Sequence, residues 1–289
     1  MGMQLLYRAG MGSQPHRFPS WIPDWTIPKP NGLYEARDRG VVFNAGGGTK
    51  EQMTCRDCDS GSDAFNELNI AGYIVDRIEH LTRPCNEPKA WRQYFSEIDN
   101  MVDTLRLRYS VADRERLKRE VPIAGAQHPQ FAASESLDIP ESYKAFRRIL
   151  HKQNYTKKYQ QDRNSPVCSS PISSPSSSSS FSSSTVASRL SQEMSLAAKS
   201  KSNGSLLGDN LKGWKFVTTE ERRCGLVPNS VQQGDEVVMF CGGEVPFTLR
   251  ECLERKGTYR LIGECYVSGI MQGEALDESD VVMKTLRIH

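Results

Sequence analysis

Residues 225–276 read GLVPNSVQQGDEVVMFCGGEVPFTLRECLERKGTYRLIGECYVSGIMQGEAL, and this stretch decides the fold reading. Gln232-Gln233-Gly234-Asp235 is a turn composition, because Gly accepts positive φ and Asp bonds its own backbone. Val237-Val238-Met239-Phe240 is a short continuous apolar run, which suits a strand covered on both faces. Gly242-Gly243 then predicts a tight hairpin. Val245, Phe247 and Leu249 alternate beyond it. Pro246 cannot donate to a ladder, so this strand is expected at an edge or with a bulge. After a charged turn at 254–257, Tyr259, Leu261, Gly263, Cys265 and Val267 restore period two.

Working outward, Trp214, Phe216 and Thr218 alternate, as do Arg222, Cys224 and Leu226. Five short strands on short turns predict a small β-barrel or a curved antiparallel sheet. A core explains all of these apolar residues without assigning them any function.

The rest of the chain divides by composition. Residues 1–17 read as a flexible lead-in. Trp21-Ile22-Pro23-Asp24-Trp25 is proline-bounded and therefore extended, with two tryptophans to clamp it onto the body; an exposed aromatic surface is the other option. Gly46-Gly47-Gly48-Thr49-Lys50 lacks the spacing of a phosphate loop and reads as a flexible turn. Leu68 to Ile78 reads as a strand running into a turn.

Trp91, Tyr94, Phe95, Ile98, Met101, Val102 and Leu105 form one stripe at steps of three and four, predicting a helix over 90–107. Asn86-Glu87-Pro88 is its cap candidate. Ser110 to Asp113 resembles a capping signal for a second helix through Glu120. A third is predicted over 140–153. Ser173 to Ser184 has little to bury and predicts a disordered insertion. The expected organisation is thus 18–160 as an α+β region, 161–210 as a disordered Ser-rich linker, 211–275 as a β-meander packing on the first region, and 276–289 as a tail in which Val281 and Met283 are candidate strand positions. The fold class is α+β.

Two separated motif sets resemble the C-terminal region of fungal heterokaryon incompatibility (HET-domain) proteins. The first is Trp21, Pro23, Asp24 and Trp25, followed by the small-residue stretch 43–49 and by Leu68 to Ile78 with Gly72 and Asp76. The second is Gly234-Asp235, Pro246 to Arg250, Gly263-Glu264 with Tyr266, and Gly269, Met271 and Gly273. The resemblance spans roughly half the chain. The family's defining upstream domain, with its Leu-Ser-Tyr-x-Trp-Gly signature, has no counterpart here. The resemblance therefore implies a C-terminal recognition or regulatory region, acting in nonself recognition and programmed cell death through a protein partner.

Chemistry candidates are few. Formal net charge is +2, which gives no global drive toward nucleic acid or an anionic membrane. No apolar run spans a bilayer and no secretory signal is seen, so a cytoplasmic protein without membrane association is expected. The eight cysteines then read as reduced. Cys55-Arg56-Asp57-Cys58 is half a zinc pattern, with Cys85 and His80 as distant completions; no cofactor or metal is expected. No local Cys–His signature is present, and Cys224, Cys241 and Cys265 read as packing residues, so no catalytic residue and no enzyme activity are expected. Lys144 to Arg163 is basic, with Tyr155 and Tyr159 interleaved, and a nucleic-acid-binding barrel is the alternative reading.

Overall fold

The computed structural model describes residues 2–10, 19–26, 33, 43–55, 67–85, 90–124, 147, 211–277 and 282–289. Two compact units are present, Met1–Glu135 with Gly208–His289, and Ser136–Leu207. All described residues except Arg147, which is helical, lie in the first unit. The segments expected to form the disordered insertion and the third helix, apart from Arg147, and most of the basic stretch lie outside the described residues.

The spine of the first unit is β2 (Leu68–Leu81), with β1 (Met53–Cys55) before it. The C-terminal strands are β3 (Trp214–Thr219), β4 (Cys224–Pro228), β5 (Glu236–Phe240), β6 (Phe247–Glu251), β7 (Thr258–Glu264), β8 (Tyr266–Val267) and β9 (Lys284–Ile288). The strand order is β5-β6-β7-β9-β2-β3-β4-β8, and β5 also pairs with β2. Strands β2, β9, β7, β6 and β5 therefore close into a ring. It is mixed and not the purely antiparallel sheet expected, because β7 runs parallel to β9 while the other pairs are antiparallel.

The length of β2 makes this possible. Fourteen residues extend about 46 Å, enough to serve several partners per edge. Ala71 donates to the Gln52 carbonyl and accepts from the Cys241 amide, both at 2.9 Å. The two groups of one residue point to the same side, so β1 and β5 share one edge. On the other edge, β9 pairs with residues 68–72 and β3 with residues 78–81. Gly72 lies where β5 crowds closest: a Cβ there would meet the Met239 carbonyl at 2.5 Å.

Strands β4 and β5 are buried at every residue, as the continuous Val237–Phe240 run required. Val227 of β4 and Val237 and Met239 of β5 join Tyr73, Val217, Ile262, Cys265, Val267 and Ile270 in one core cluster.

Several expectations are corrected. The lead-in is not flexible over its described part. Met3–Arg8 is a 3-10 helix with Met3, Leu6 and Tyr7 buried, because Tyr7 stacks on Phe247 at 5.3 Å and its hydroxyl accepts from the Glu244 amide at 2.7 Å. The tail is not a tail: β9 starts just after Met283 and sits between β2 and β7.

The meander is broken between β4 and β5: β3 pairs with β4, and β5 with β6 and β7 in sequence, but β2 separates the two groups and β8 pairs back on β4. The Gly-Gly connection is not a two-residue hairpin, and residues 241–246 form a longer loop. The 44–49 segment clamps it, with the Ala45 amide donating to the Glu244 carbonyl and the Gly46 amide to the Gly243 carbonyl. That segment is a packed turn leading into β1, so no helix follows its glycines. Pro246 stands just outside β6, which is not an edge strand but does carry the irregularity expected as the other option, a register shift at Thr248/Leu249. Leu68–Ile78 does not end in a turn, and the strand continues to Leu81.

The apolar stripe folds as α1 (Trp91–Thr104), continued by a 3-10 turn at Leu105–Leu107, with Tyr94, Phe95, Ile98, Val102 and Leu105 buried. The proposed cap at 86–88 lies outside the described residues, and Ala90 caps without a side-chain bond. Helix α2 (Val111–Glu120) does carry its predicted cap. The Ser110 hydroxyl accepts from the Asp113 amide at 3.2 Å and donates to the Asp113 carboxylate at 2.7 Å. Only Leu117 of α2 is fully buried, so the cap is a large share of what holds it. Ser110→Ala is expected to cost about 1 kcal/mol, read as a lower urea midpoint at constant slope.

Candidate functional site: the ion-paired strand junctions

The motif residues fall into groups that close on themselves. At the β2–β3 junction, the buried Asp76 carboxylate accepts from Arg223 Nη1 at 2.8 Å. Its other oxygen accepts from the Arg77 amide at 2.8 Å and the Glu221 amide at 3.1 Å. The pair ties the middle of β2 to the turn that joins β3 to β4. Arg222 does not alternate within a strand. It occupies that turn at φ 59, and its amide donates to the Thr219 carbonyl.

At the start of β5, Asp235 takes Arg250 in a bidentate pair, Nε to Oδ1 and Nη2 to Oδ2, each 2.8 Å. Such a fork fixes geometry as well as charge. Arg250 Nη2 also donates to the Ser230 carbonyl at 2.9 Å, and the Gln232 amide donates to Asp235 Oδ2 at 2.8 Å. The bond to Asp235 raises the Arg250 guanidinium pKa. Gly234, at φ 88, lets its amide reach the Ile78 carbonyl. Lys215, close by, donates to the Val231 carbonyl at 3.0 Å, and burial lowers its ammonium pKa, with Arg250 adding to the effect.

At the end of β7, Glu264 is fully buried and accepts from the Leu33 amide at 2.8 Å. Tyr266 beyond it is buried, and desolvation pushes its phenol up to about 12, with Glu120 adding to it. The Met271 thioether accepts from the Val267 amide at 3.4 Å, and the Met271 carbonyl accepts from the Asn44 amide at 3.0 Å. Gly269 and Gly273 take φ 90 and 94 there, and a Cβ on Gly273 would press Gly47 Cα at 3.1 Å.

The two tryptophans separate. Trp21 is buried, beside Ser20, whose hydroxyl bonds the His289 carbonyl and accepts from the Leu261 amide. Pro23 is buried as well. Asp24 closes a local turn on Thr26, at 2.9 Å to the amide and 2.6 Å to the hydroxyl. Trp25 is 69% exposed, with the Arg8 guanidinium 5.7 Å from its ring. One tryptophan thus clamps and the other faces solvent.

One thiol–imidazole approach escaped sequence reading because its partners are 37 positions apart. Cys252 Sγ lies 3.9 Å from His289 Nδ1, brought there by the β6–β7 and β7–β9 pairings. Burial raises the Cys252 thiol pKa and lowers that of His289, where Arg255 adds to the effect. Both groups are therefore held neutral, the opposite of an activated thiolate.

Of the other cysteines, Cys224 and Cys85 are buried and pushed up to about 12 by desolvation. Cys265 is raised by burial and then by Glu264. Cys55 is exposed, and Cys58 lies outside the described residues. Among the described residues no three His, Cys, Asp or Glu side chains are grouped to hold a metal. No helix there is long and apolar enough to cross a membrane.

Among the cysteines of the described residues, native iodoacetamide labelling should modify Cys55 first and leave Cys85, Cys224 and Cys265 at the pace of global opening. Fast labelling of Cys252 would instead reveal an activated thiol.

Residues 184–281 match the family model of the Het-6 β-barrel domain. That span includes β3 to β8, and so both the Asp235–Arg250 fork and the Glu264 contact. A stretch of 82 residues is 38% identical to heterokaryon incompatibility protein 6, OR allele, of Neurospora crassa. The two matches support a heterokaryon incompatibility-type protein. They support a fungal origin as well. The matched stretch covers 27% of this chain and 12% of that relative, so the chain spans a small part of the relative's length. No solved structure matches.

The matched span therefore carries both ends of the Asp235–Arg250 junction and the Arg223 end of the other. The sequence reading singled out Asp76 and Asp235 but missed Arg223. The signal was an aspartate inside an apolar strand, which needs a cation once buried.

Proposed function

We propose that this chain is the non-enzymatic recognition or regulatory region of a heterokaryon incompatibility-type protein. In this reading it meets a protein partner in the cytoplasm and contributes to nonself recognition that ends in programmed cell death. The observation that carries the proposal is the Het-6 β-barrel match over residues 184–281. The junction chemistry supports it, because the charged motif residues Asp76, Asp235 and Arg250 are consumed in holding strands together.

The surface offered to a partner is the outer edge of β1. Among the described strands β1 pairs only with β2, so its other edge is open to an added strand. Exposed Trp25, which lies in a turn segment and not in the extended one expected from its proline, adds an aromatic anchor.

The test is heterokaryon formation between marked fungal strains with and without this chain. The expected result is fewer stable heterokaryons when the chain is expressed opposite an unlike partner. Met53→Pro, at a position whose amide faces away from β2, should restore them, whereas Cys252→Ser should not. Unchanged heterokaryon recovery, or loss of the effect in Cys252→Ser, would overturn the proposal.

A further inference from the structure

The α1–α2 hairpin ends in a tip, Arg106-Leu107-Arg108-Tyr109-Ser110-Val111, that the strand junctions do not use. Its inward residues Val102, Leu105 and Leu117 are buried, and Val121 anchors the far end of α2 near β4. Its outward aliphatics are not covered: Leu107 is 83% exposed and Val111 69%. The tip turns tightly, with the Arg108 and Tyr109 amides both donating to the Leu105 carbonyl. The Arg108 guanidinium lies 5.8 Å from the Tyr109 ring.

The charges around the tip are unevenly satisfied. Asp103 holds Lys118 at 2.9 Å, Glu115 holds the same lysine at 3.0 Å, and Asp113 holds Arg116 at 3.3 Å. Arg114 donates to the Asp103 carbonyl. Arg106 and Arg108 are exposed and have no carboxylate partner among the described residues. The tip therefore presents two bare aliphatic side chains flanked by two guanidinium groups that have no carboxylate partner among the described residues, with a tyrosine beside them.

We propose that this tip is a peripheral docking site for an anionic lipid surface. Leu107 and Val111 enter the boundary between headgroups and acyl chains, and Arg106 and Arg108 meet the lipid anions. The charge pattern selects this occupant. A bilayer is anionic at the rim and apolar below, which matches a projecting tip with aliphatic ends and cationic flanks. Long arginine stems can also lie along the apolar zone while their heads stay at the phosphates. The sequence-level expectation of no membrane partner rested on net charge and the lack of a spanning run. Peripheral docking requires neither, and the whole-chain charge of +2 hides a local cationic concentration.

The test is co-sedimentation of the full chain with phosphatidylcholine vesicles and with vesicles containing phosphatidylserine. Partitioning should rise about tenfold on the anionic vesicles and fall with salt. Arg106→Gln and Arg108→Gln should each lower it about fivefold. Leu107→Asp with Val111→Asp should lower it about tenfold or more without shifting the urea midpoint, since both side chains are exposed. Leu253→Asp, an exposed aliphatic on the β6–β7 turn, should leave partitioning unchanged. Equal binding to both vesicle types would overturn the proposal. So would binding that depends on the arginines but survives the aspartate pair, because that describes a site for a soluble polyanion.

Discussion

Asp76→Ala is expected to cost about 3–5 kcal/mol of folding stability, because it strands a buried guanidinium. The side chain of Arg223 is only 7% exposed and that of Asp76 not at all, so neither can recover water where it sits. Two further acceptor contacts, from the Arg77 and Glu221 amides, are lost with the same carboxylate. Arg223→Ala should cost a similar amount from the other side.

The double variant Asp76→Leu with Arg223→Met should be much less damaged than the sum of the single changes, since removing both charges leaves no orphan. Arg77–Glu236 provides the contrast. At 3.1 Å it has a comparable contact, but Arg77 is 49% exposed. Arg77→Ala should cost less than about 1 kcal/mol. Urea unfolding of the variants, with the slope checked for constancy, reads all of these.

Phe247→Ala is expected to cost about 3–5 kcal/mol and to loosen the N-terminal segment at the same time. The ring is fully buried between Tyr7, stacked at 5.3 Å and 22°, and Phe240, tilted at 4.9 Å and 38°. The cavity would open where the 3-10 helix at residues 3–8 rests on β6. The 241–246 loop is attached to the same place through the Tyr7 hydroxyl. Limited proteolysis should therefore cut residues 3–10 faster in Phe247→Ala than in the parent. Tyr7→Phe keeps the stack and loses only the bond from the Glu244 amide, about 1 kcal/mol. Equal proteolysis of parent and Phe247→Ala would mean that the N-terminal helix is held elsewhere.

The parts of this fold that were legible in sequence are those written locally. The α1 stripe and the Ser110–Asp113 cap are set by residues three and four apart, and both appear as read. The Val237–Phe240 run marked a strand covered on both faces, as β5 is. What failed was set by distant partners. Met3 to Arg8 looked like a loose end because nothing nearby in sequence says that Phe247 will cover Tyr7.

Gly242-Gly243 looked like a hairpin because the 44–49 clamp on the loop lies some 200 residues upstream. In β9, Leu286 and Ile288 do alternate with Thr285 and Arg287, yet the candidate strand positions in the sequence fall just before it, at Val281 and Met283. For the candidate site, both aspartates and Arg250 stood in motif positions. Arg223 did not, and its role follows only from the fold that buries Asp76.

The central claim is that β2 from the first part of the chain and β9 from its end complete one cooperative ring with β5, β6 and β7. Native-state hydrogen exchange under increasing urea tests it most directly. Peptides covering residues 68–81, 236–240 and 284–288 are expected to merge into a single opening with the free energy of global unfolding. Exchange of 68–81 or 284–288 at the rate of an exposed turn, while 236–264 stays protected, would contradict it.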